Sequence, residues 1–190
     1  MRFLKQIQPL FFVGVCLWHF GCGSSPSSTS TKTNTQPTIK VEKSKQGYDL
    51  NQDQKDDMWR TTVKKGPLTY LGQKSFDFNF DGKIDFERFF TSEGQIERDE
   101  SDLDFDGIKD VIIFYQDSII SRKEVHLQGP KKIDVYEYYQ KGQLTCTEID
   151  EDADGLLDRW ERYEEGKKKD EGPWTLESAC PNSSKLSFSN

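Results

Sequence analysis

Histidine is nearly absent from this chain. There are two in 190 residues, and His19 lies in an apolar N-terminal stretch. With only His126 left beyond that stretch, a multi-histidine zinc site cannot be assembled, and a Ser-His-Asp arrangement would rest on His126 alone. Long apolar runs are also missing. The longest, from Leu10 to Phe20, is too short to span a bilayer. Hydrophobic residues make up only 33% of the chain, which leaves little material for a second packed layer. Basic charge is short as well, with 26 Lys and Arg against 33 Asp and Glu and a net charge of −7. No basic stripe exists to neutralise phosphates, so nucleic-acid binding is excluded. Lys167 to Lys169 and Lys131-Lys132 read as solvated turns.

What the chain has in quantity is aspartate at fixed spacing. Asp150-Glu-Asp-Ala-Asp-Gly-Leu-Leu-Asp158 places acids at loop positions 1, 3, 5 and 9 and Gly155 at position 6. Ca²⁺ is a hard cation that takes six to eight oxygens, which alternate side chains of a tightly curled loop supply, and a glycine permits the sharp turn. Glu161 stands at position 12, the place of a bidentate ligand in a calcium loop with a following helix. A helix over 159–169 would complete that pattern.

The loop recurs. Asp77, Asn79, Asp81 and Asp85 hold the same positions around Gly82, and Asp102, Asp104, Asp106 and Asp110 hold them around Gly107. In the last of these loops the candidate ligands are Asp150, Asp152, Asp154 and Asp158, with Glu161 beyond them. The earliest loop, with Asp49, Asn51, Asp53 and Asp57, is weaker because Gln54 replaces the glycine. Starts at 49, 77, 102 and 150 leave a double gap at the end, and an eroded copy fills it at 126–134. There only Asp134 survives, with His126 at position 1. We number these loops first to fifth in chain order.

Behind each loop lies an apolar or aromatic run, such as Phe86 to Phe90, Val111 to Tyr115 and Val135 to Tyr139. β-Branched and aromatic residues dominate these runs, which predicts strands. Turn signals follow at Gly66-Pro67, Gly94, Gly142 and Gly166, and a second run returns toward the next loop. For the last unit that return run is Trp174 to Glu177. The expected fold is mainly β: an antiparallel β-meander of about five loop-hairpin repeats and ten short strands, with the acidic loops along one edge. The aromatics are expected to pack on its faces.

The D-x-[DN]-x-D-G-x-x-D pattern with a strand behind it resembles the calcium loops of integrin-type FG-GAP repeats. It is also similar to EF-hand and thrombospondin type 3 loops. The whole unit, over 47–165, looks like the hairpin repeats of lipoproteins from predatory and myxobacteria-like species. These resemblances imply Ca²⁺ as the cofactor. A four-stranded propeller blade does not fit a period that holds two strands.

Residues 1–21 read as an export signal, with Arg2 and Lys5 before the apolar stretch. Gly21-Cys22 is a cue for lipidation of Cys22, although Phe20 and His19 depart from the usual lipobox. Residues 22–46 read as a disordered Ser/Thr/Pro-rich tether, 47–178 as the repeats and 179–190 as a tail. Removing 1–21 takes two basic residues and no acids, so the mature charge is −7 − 2 = −9. Cys146 and Cys180 remain as an even pair in an oxidising compartment and are expected to form a disulfide. Loop spacing absorbs every prominent aspartate, so no acid pair is left for hydrolysis and no enzyme is expected. The expectation is therefore a calcium-binding repeat lipoprotein of the bacterial cell envelope, of outer-membrane type. It would be held to the membrane by a lipid anchor and act as a scaffold. The alternatives are an adhesin- or antitoxin-like module with a protein or glycan partner, or an accessory subunit of an envelope enzyme.

Overall fold

Sequential hairpins that each bury only part of their surface must stack on their neighbours, and this chain does so as one sheet. The structure, a computed structural model, describes residues 39–127, 129 and 132–181. The export signal, Cys22, most of the tether and residues 182–190 lie outside the described residues. Eleven strands run in chain order as neighbours: β1 (Val41–Tyr48), β2 (Met58–Lys65), β3 (Leu68–Phe76), β4 (Phe86–Phe90), β5 (Ile96–Ser101), β6 (Val111–Gln116), β7 (Ile119–Val125), β8 (Val135–Gln140), β9 (Gln143–Ile149), β10 (Arg159–Glu164) and β11 (Lys167–Pro173). All pairs are antiparallel. The expected meander is therefore present, with five hairpins (β2–β3, β4–β5, β6–β7, β8–β9 and β10–β11) behind the five loops.

Three expectations need correction. Residues 159–169 form β10 and the start of β11, not a helix. The chain alternates faces there and pairs with β9 from Arg159↔Ile149 to Arg162↔Cys146, so tertiary pairing decides the conformation. The last return strand is β11, which contains Lys167 to Lys169, and Trp174 to Glu177 lie beyond it. At the other end β1 begins at Val41, inside the stretch read as tether. Its six leading residues are all exposed, so no apolar alternation marks it in the sequence.

Each hairpin carries the same irregularity. Register shifts fall at Thr61/Thr62, Phe89/Phe90, Phe114/Tyr115, Tyr138/Tyr139 and Arg162/Tyr163, each time with one extra residue on the returning strand. A bulge at the same place in every unit increases local twist and keeps the units superimposable along the sheet.

Packing is thin. The buried hydrophobic residues are Val63, Val111, Tyr138, Cys146, Ala153, Trp160 and Cys180. One face is knitted instead by a cross-strand row that runs Glu87, Glu100, Ile112, Glu124, Tyr136, Glu148 and Trp160, glutamate alternating with an apolar or aromatic residue from Glu100 on. In the adjoining row Arg98 lies 3.7 Å over Phe89, Arg122 4.2 Å over Phe114 and Arg162 4.5 Å over Trp160. Such cation–π contacts stabilise by about 0.5–1 kcal/mol each at partly exposed sites. On the opposite face Arg88 donates two 2.8 Å bonds to Asp99, which also accepts from the Tyr115 hydroxyl at 2.8 Å.

The end of the sheet is closed by residues 174–181. Glu148 is fully buried, and its carboxylate accepts from Tyr138 Oη at 2.9 Å, Trp174 Nε1 at 3.0 Å and the Cys180 amide at 2.8 Å. The Cys146–Cys180 disulfide fixes this strap to β9, as expected. Disulfides of this sort belong to proteins of oxidising compartments.

Two outcomes follow from this packing. The disulfide closes a loop with sequence separation 34, so its reduction is expected to lower stability by about 3–4 kcal/mol in urea unfolding. A shift under about 1 kcal/mol would mean that the strap holds without it. Burial, and then the bond to Asp99, push the Tyr115 phenol up to about 12. Below about pH 10 both folded and unfolded chains keep that proton, whereas between about 10 and 12 only the unfolded chain releases it. Tyr115 therefore contributes a loss of stability as pH rises through that window. Tyr115→Phe is expected to flatten the fall measured there, and an unchanged slope would contradict the assignment.

Candidate metal centres

The loops are positioned by the sheet itself. The first residue of each later loop and the ninth of each loop extend the strand ladder by one rung. Amide-to-carbonyl bonds run Asp57 to Tyr48, Asp77 to Asp57, Asp85 to Phe76, Asp102 to Asp85, Asp110 to Ser101, His126 to Asp110, Asp134 to Val125, Asp150 to Asp134 and Asp158 to Ile149, all 2.7–2.9 Å. The acidic loops consequently stand side by side on one edge of the sheet.

Within each loop the carboxylates first serve the backbone. The position-9 carboxylate accepts the position-2 amide: Leu50 to Asp57 at 2.8 Å, Phe78 to Asp85 at 2.6 Å, Leu103 to Asp110 at 2.6 Å and Glu151 to Asp158 at 2.7 Å. The position-1 carboxylate accepts the position-6 amide: Gln54 to Asp49, Gly82 to Asp77, Gly107 to Asp102 and Gly155 to Asp150, at 2.7–2.8 Å. Position 3 accepts from position 5, through Asn51, Asn79, Asp104 and Asp152. Position 5 accepts from position 7, through Asp53, Asp81, Asp106 and Asp154. These bonds wind the chain so that position 6 takes positive φ, +89° at Gly82 and +97° at Gly107. Gln54 is forced to +74° in the same place.

The remaining oxygens converge. Among the described residues three groups have ligand atoms within 4.8 Å of one another: Asp77, Asp81 and Asp85; Asp102, Asp104 and Asp110; Asp150, Asp152 and Asp158. They fall in the three loops whose pattern is complete. In each group one oxygen is buried without a hydrogen-bond partner: Asp85 Oδ1, Asp102 Oδ1 and Asp150 Oδ1, on residues 1%, 3% and 5% exposed. A buried carboxylate oxygen without a partner costs several kcal/mol. A bound cation supplies the missing partner, so the residues present fit a metal ion. Asn79, Asp106 and Asp154 flank the groups and hold backbone amides.

The first loop makes the same backbone bonds, yet Asp49, Asp53 and Asp57 are not brought together as a group. In it Asp49 spends its second oxygen on the Gln52 amide at 2.6 Å. In the fourth loop His126 replaces the position-1 acid, buried and 4.0 Å from Glu124.

Glu161 is the site residue that the structure places elsewhere. Three residues of extended chain carry it about 10 Å beyond position 9. Its carboxylate there accepts from Tyr163 Oη and the Arg159 guanidinium, with Lys168 Nζ at 3.4 Å. The Tyr163 hydroxyl, followed by Arg159, holds the Glu161 carboxyl below the usual range. A position-12 acid returns to the loop only when a helix follows, and a strand follows here.

Sequence reasoning missed Lys83 and Lys109. Lys83 Nζ donates to the Asp106 carbonyl at 3.1 Å, and Lys109 Nζ donates to the Ile84 carbonyl, so the second and third loops are bridged in both directions. Lysines at positions 7 and 8 of facing loops were the available signal. In the fourth loop Lys132 reaches the Ala153 carbonyl of the fifth.

No protein-family model matches the sequence, and no curated protein matches it. Among solved structures there is a likeness to the crystal structure of accessory secretory protein 1, 2 and 3 in Streptococcus pneumoniae. It has 23% identity and a TM-score of 0.36, and covers 48% of this chain and 17% of that one. A likeness that slight says nothing further about this protein.

A substitution separates backbone strain from ligand chemistry. Gln54→Gly relieves a positive φ and is expected to stabilise by about 0.5–1 kcal/mol. Gly82→Ala, whose Cβ would meet no atom within 4 Å, is expected to cost about 1–2 kcal/mol from the backbone alone. Paired denaturant melts in chelator check both signs.

Proposed function

We propose that this protein is a calcium-binding repeat lipoprotein of the bacterial cell envelope, with ions that hold its loop edge rigid as a scaffold. The observation that carries this reading is the buried, unpartnered oxygen in each complete loop, at Asp85, Asp102 and Asp150. All donors are hard oxygens, which favours Ca²⁺ or Mg²⁺ over softer metals. A curled chain of carboxylates that offers several oxygens at adaptable distance suits Ca²⁺ better than the strict octahedron of Mg²⁺. The ligands would be Asp77, Asp81 and Asp85; Asp102, Asp104 and Asp110; and Asp150, Asp152 and Asp158. Lipidation of Cys22 behind an export signal is the anchoring half of the proposal, and the disulfide is in keeping with an exported domain.

Titration of Ca²⁺ into chelator-treated mature protein is expected to show three sites, with Kd of about 10⁻⁴–10⁻³ M as in extracellular modules. Each would add about 2.7 kcal/mol at a hundredfold excess over Kd. No heat and no rise in melting temperature at millimolar Ca²⁺ would reduce the loops to acidic turns. Labelled fatty acid is expected in the wild type and absent from Cys22→Ser.

A second reading, an interaction module for a protein or glycan, is favoured by one observation. Leu50, Phe78, Leu103 and Leu127 are exposed at position 2 of four successive loops. Their amides turn inward to the position-9 aspartate while the side chains stay exposed, Phe78 with its ring stacked on Phe76. Loss of cell-surface adhesion in a folded Leu103→Ser, Leu127→Ser variant with intact calcium binding would favour this reading.

A further inference from the structure

The second and third loops are joined as no other pair of complete loops is. Asp85 closes one group and Asp102 opens the next, and the Asp102 amide donates to the Asp85 carbonyl at 2.7 Å. Both residues are more than nine-tenths buried, and each aims an unpartnered Oδ1 into its own group. Lys83 and Lys109 tie the loops together a second and third time, through the Asp106 and Ile84 carbonyls. The fifth loop has no such neighbour, because the fourth stands between and has lost every acid but Asp134. From this juxtaposition we infer that the second and third loops bind their divalent ions as one positively cooperative pair, while the fifth binds independently. The inference rests on the metal reading above.

The physical cause is shared ordering. An ion in the second loop fixes the Asp85 carboxylate and with it the peptide group that presents Asp102. The third loop then meets its ion already set and loses less freedom on binding. Repulsion between the two ions opposes this. Loops separated by two strands hold the ions about 9–10 Å apart, and next to buried carboxylates that repulsion is screened less than in open solvent. Coupling is positive because ordering exceeds it.

The two effects have opposite signs in one variant. The three carboxylates of the second loop, Asp77, Asp81 and Asp85, carry −3, and a divalent ion brings that sum to −3 + 2 = −1, with Lys83 unchanged throughout. Asp81→Asn without an ion leaves −2. Charge alone would thus make the third loop bind calcium less tightly than beside an empty wild-type loop but more tightly than beside a filled one. Loss of ordering makes it bind less tightly than beside a filled one. The amide side chain of this variant keeps an oxygen that can accept the Lys83 amide, so the loop backbone is retained.

The test is calcium titration of the ¹⁵N-labelled mature protein, with the Gly82, Gly107 and Gly155 amides as separate reporters of the three loops. In the wild type the Gly82 and Gly107 curves are expected to coincide with a Hill coefficient above 1, and Gly155 to follow a simple hyperbola. In Asp81→Asn, at calcium levels where Gly82 no longer responds, the Gly107 midpoint is expected to rise about fivefold. The Gly155 midpoint should stay within about twofold. An unchanged or lower Gly107 midpoint overturns the coupling while leaving the three sites standing. Lys109→Met keeps every ligand and the Asp102–Asp85 bond but removes one of the three ties, and is expected to lower the Gly82 and Gly107 Hill coefficients toward 1; undiminished coefficients also overturn the proposal. Silence of all three amides in the wild type removes the metal reading itself, and the coupling with it.

Discussion

The fold depends on what the ninth-position aspartates do twice over. Their backbone groups prolong the strand ladder, and their carboxylates draw in the amide two residues into the loop. One residue thereby closes a turn, begins a strand and turns a carboxylate oxygen toward a shared centre. Asp134 performs the first two tasks in the fourth loop, where the other acids are gone. Survival of that single aspartate in an eroded repeat has a physical reason: the sheet needs it even where no cation is held.

The same economy governs the faces. With few buried apolar residues, the sheet relies on long amphipathic side chains that lie flat: arginines over aromatics, glutamates between them, tyrosine hydroxyls on carboxylates. Each such contact is small, and together they exclude water from a single layer. Burial raises the Glu124 carboxyl and outweighs the nearby Arg122. The arrangement therefore carries a tension that an apolar core would lack. Among the described glutamates only Glu148, sealed by Trp174 and the Cys180 amide, is completely buried.

Much of this was legible in the sequence, and the exceptions share a cause. The period, the loops and the central strands were readable because β-branched and aromatic runs alternate with a strict aspartate code. β1 and β11 were not, since both are polar along their length and owe their conformation to one neighbour. Glu161 matched a spacing rule whose premise, a helix after the loop, is absent here. The five bulges leave no mark in residue type, because Gly72, Glu97, Ser121, Thr145 and Lys169 have nothing in common but their place in the register. The lysine bridges between loops depend on which loops face each other, a fact that only the strand order supplies.

Among the described residues every contact between strands joins sequence neighbours, and none reaches across the sheet. No central residue therefore measures the whole. A unit inserted between two hairpins would meet the same ladder on either side as the unit it displaced. The architecture has no intrinsic length, and among the described residues it is bounded by two polar outermost strands and the disulfide-held strap.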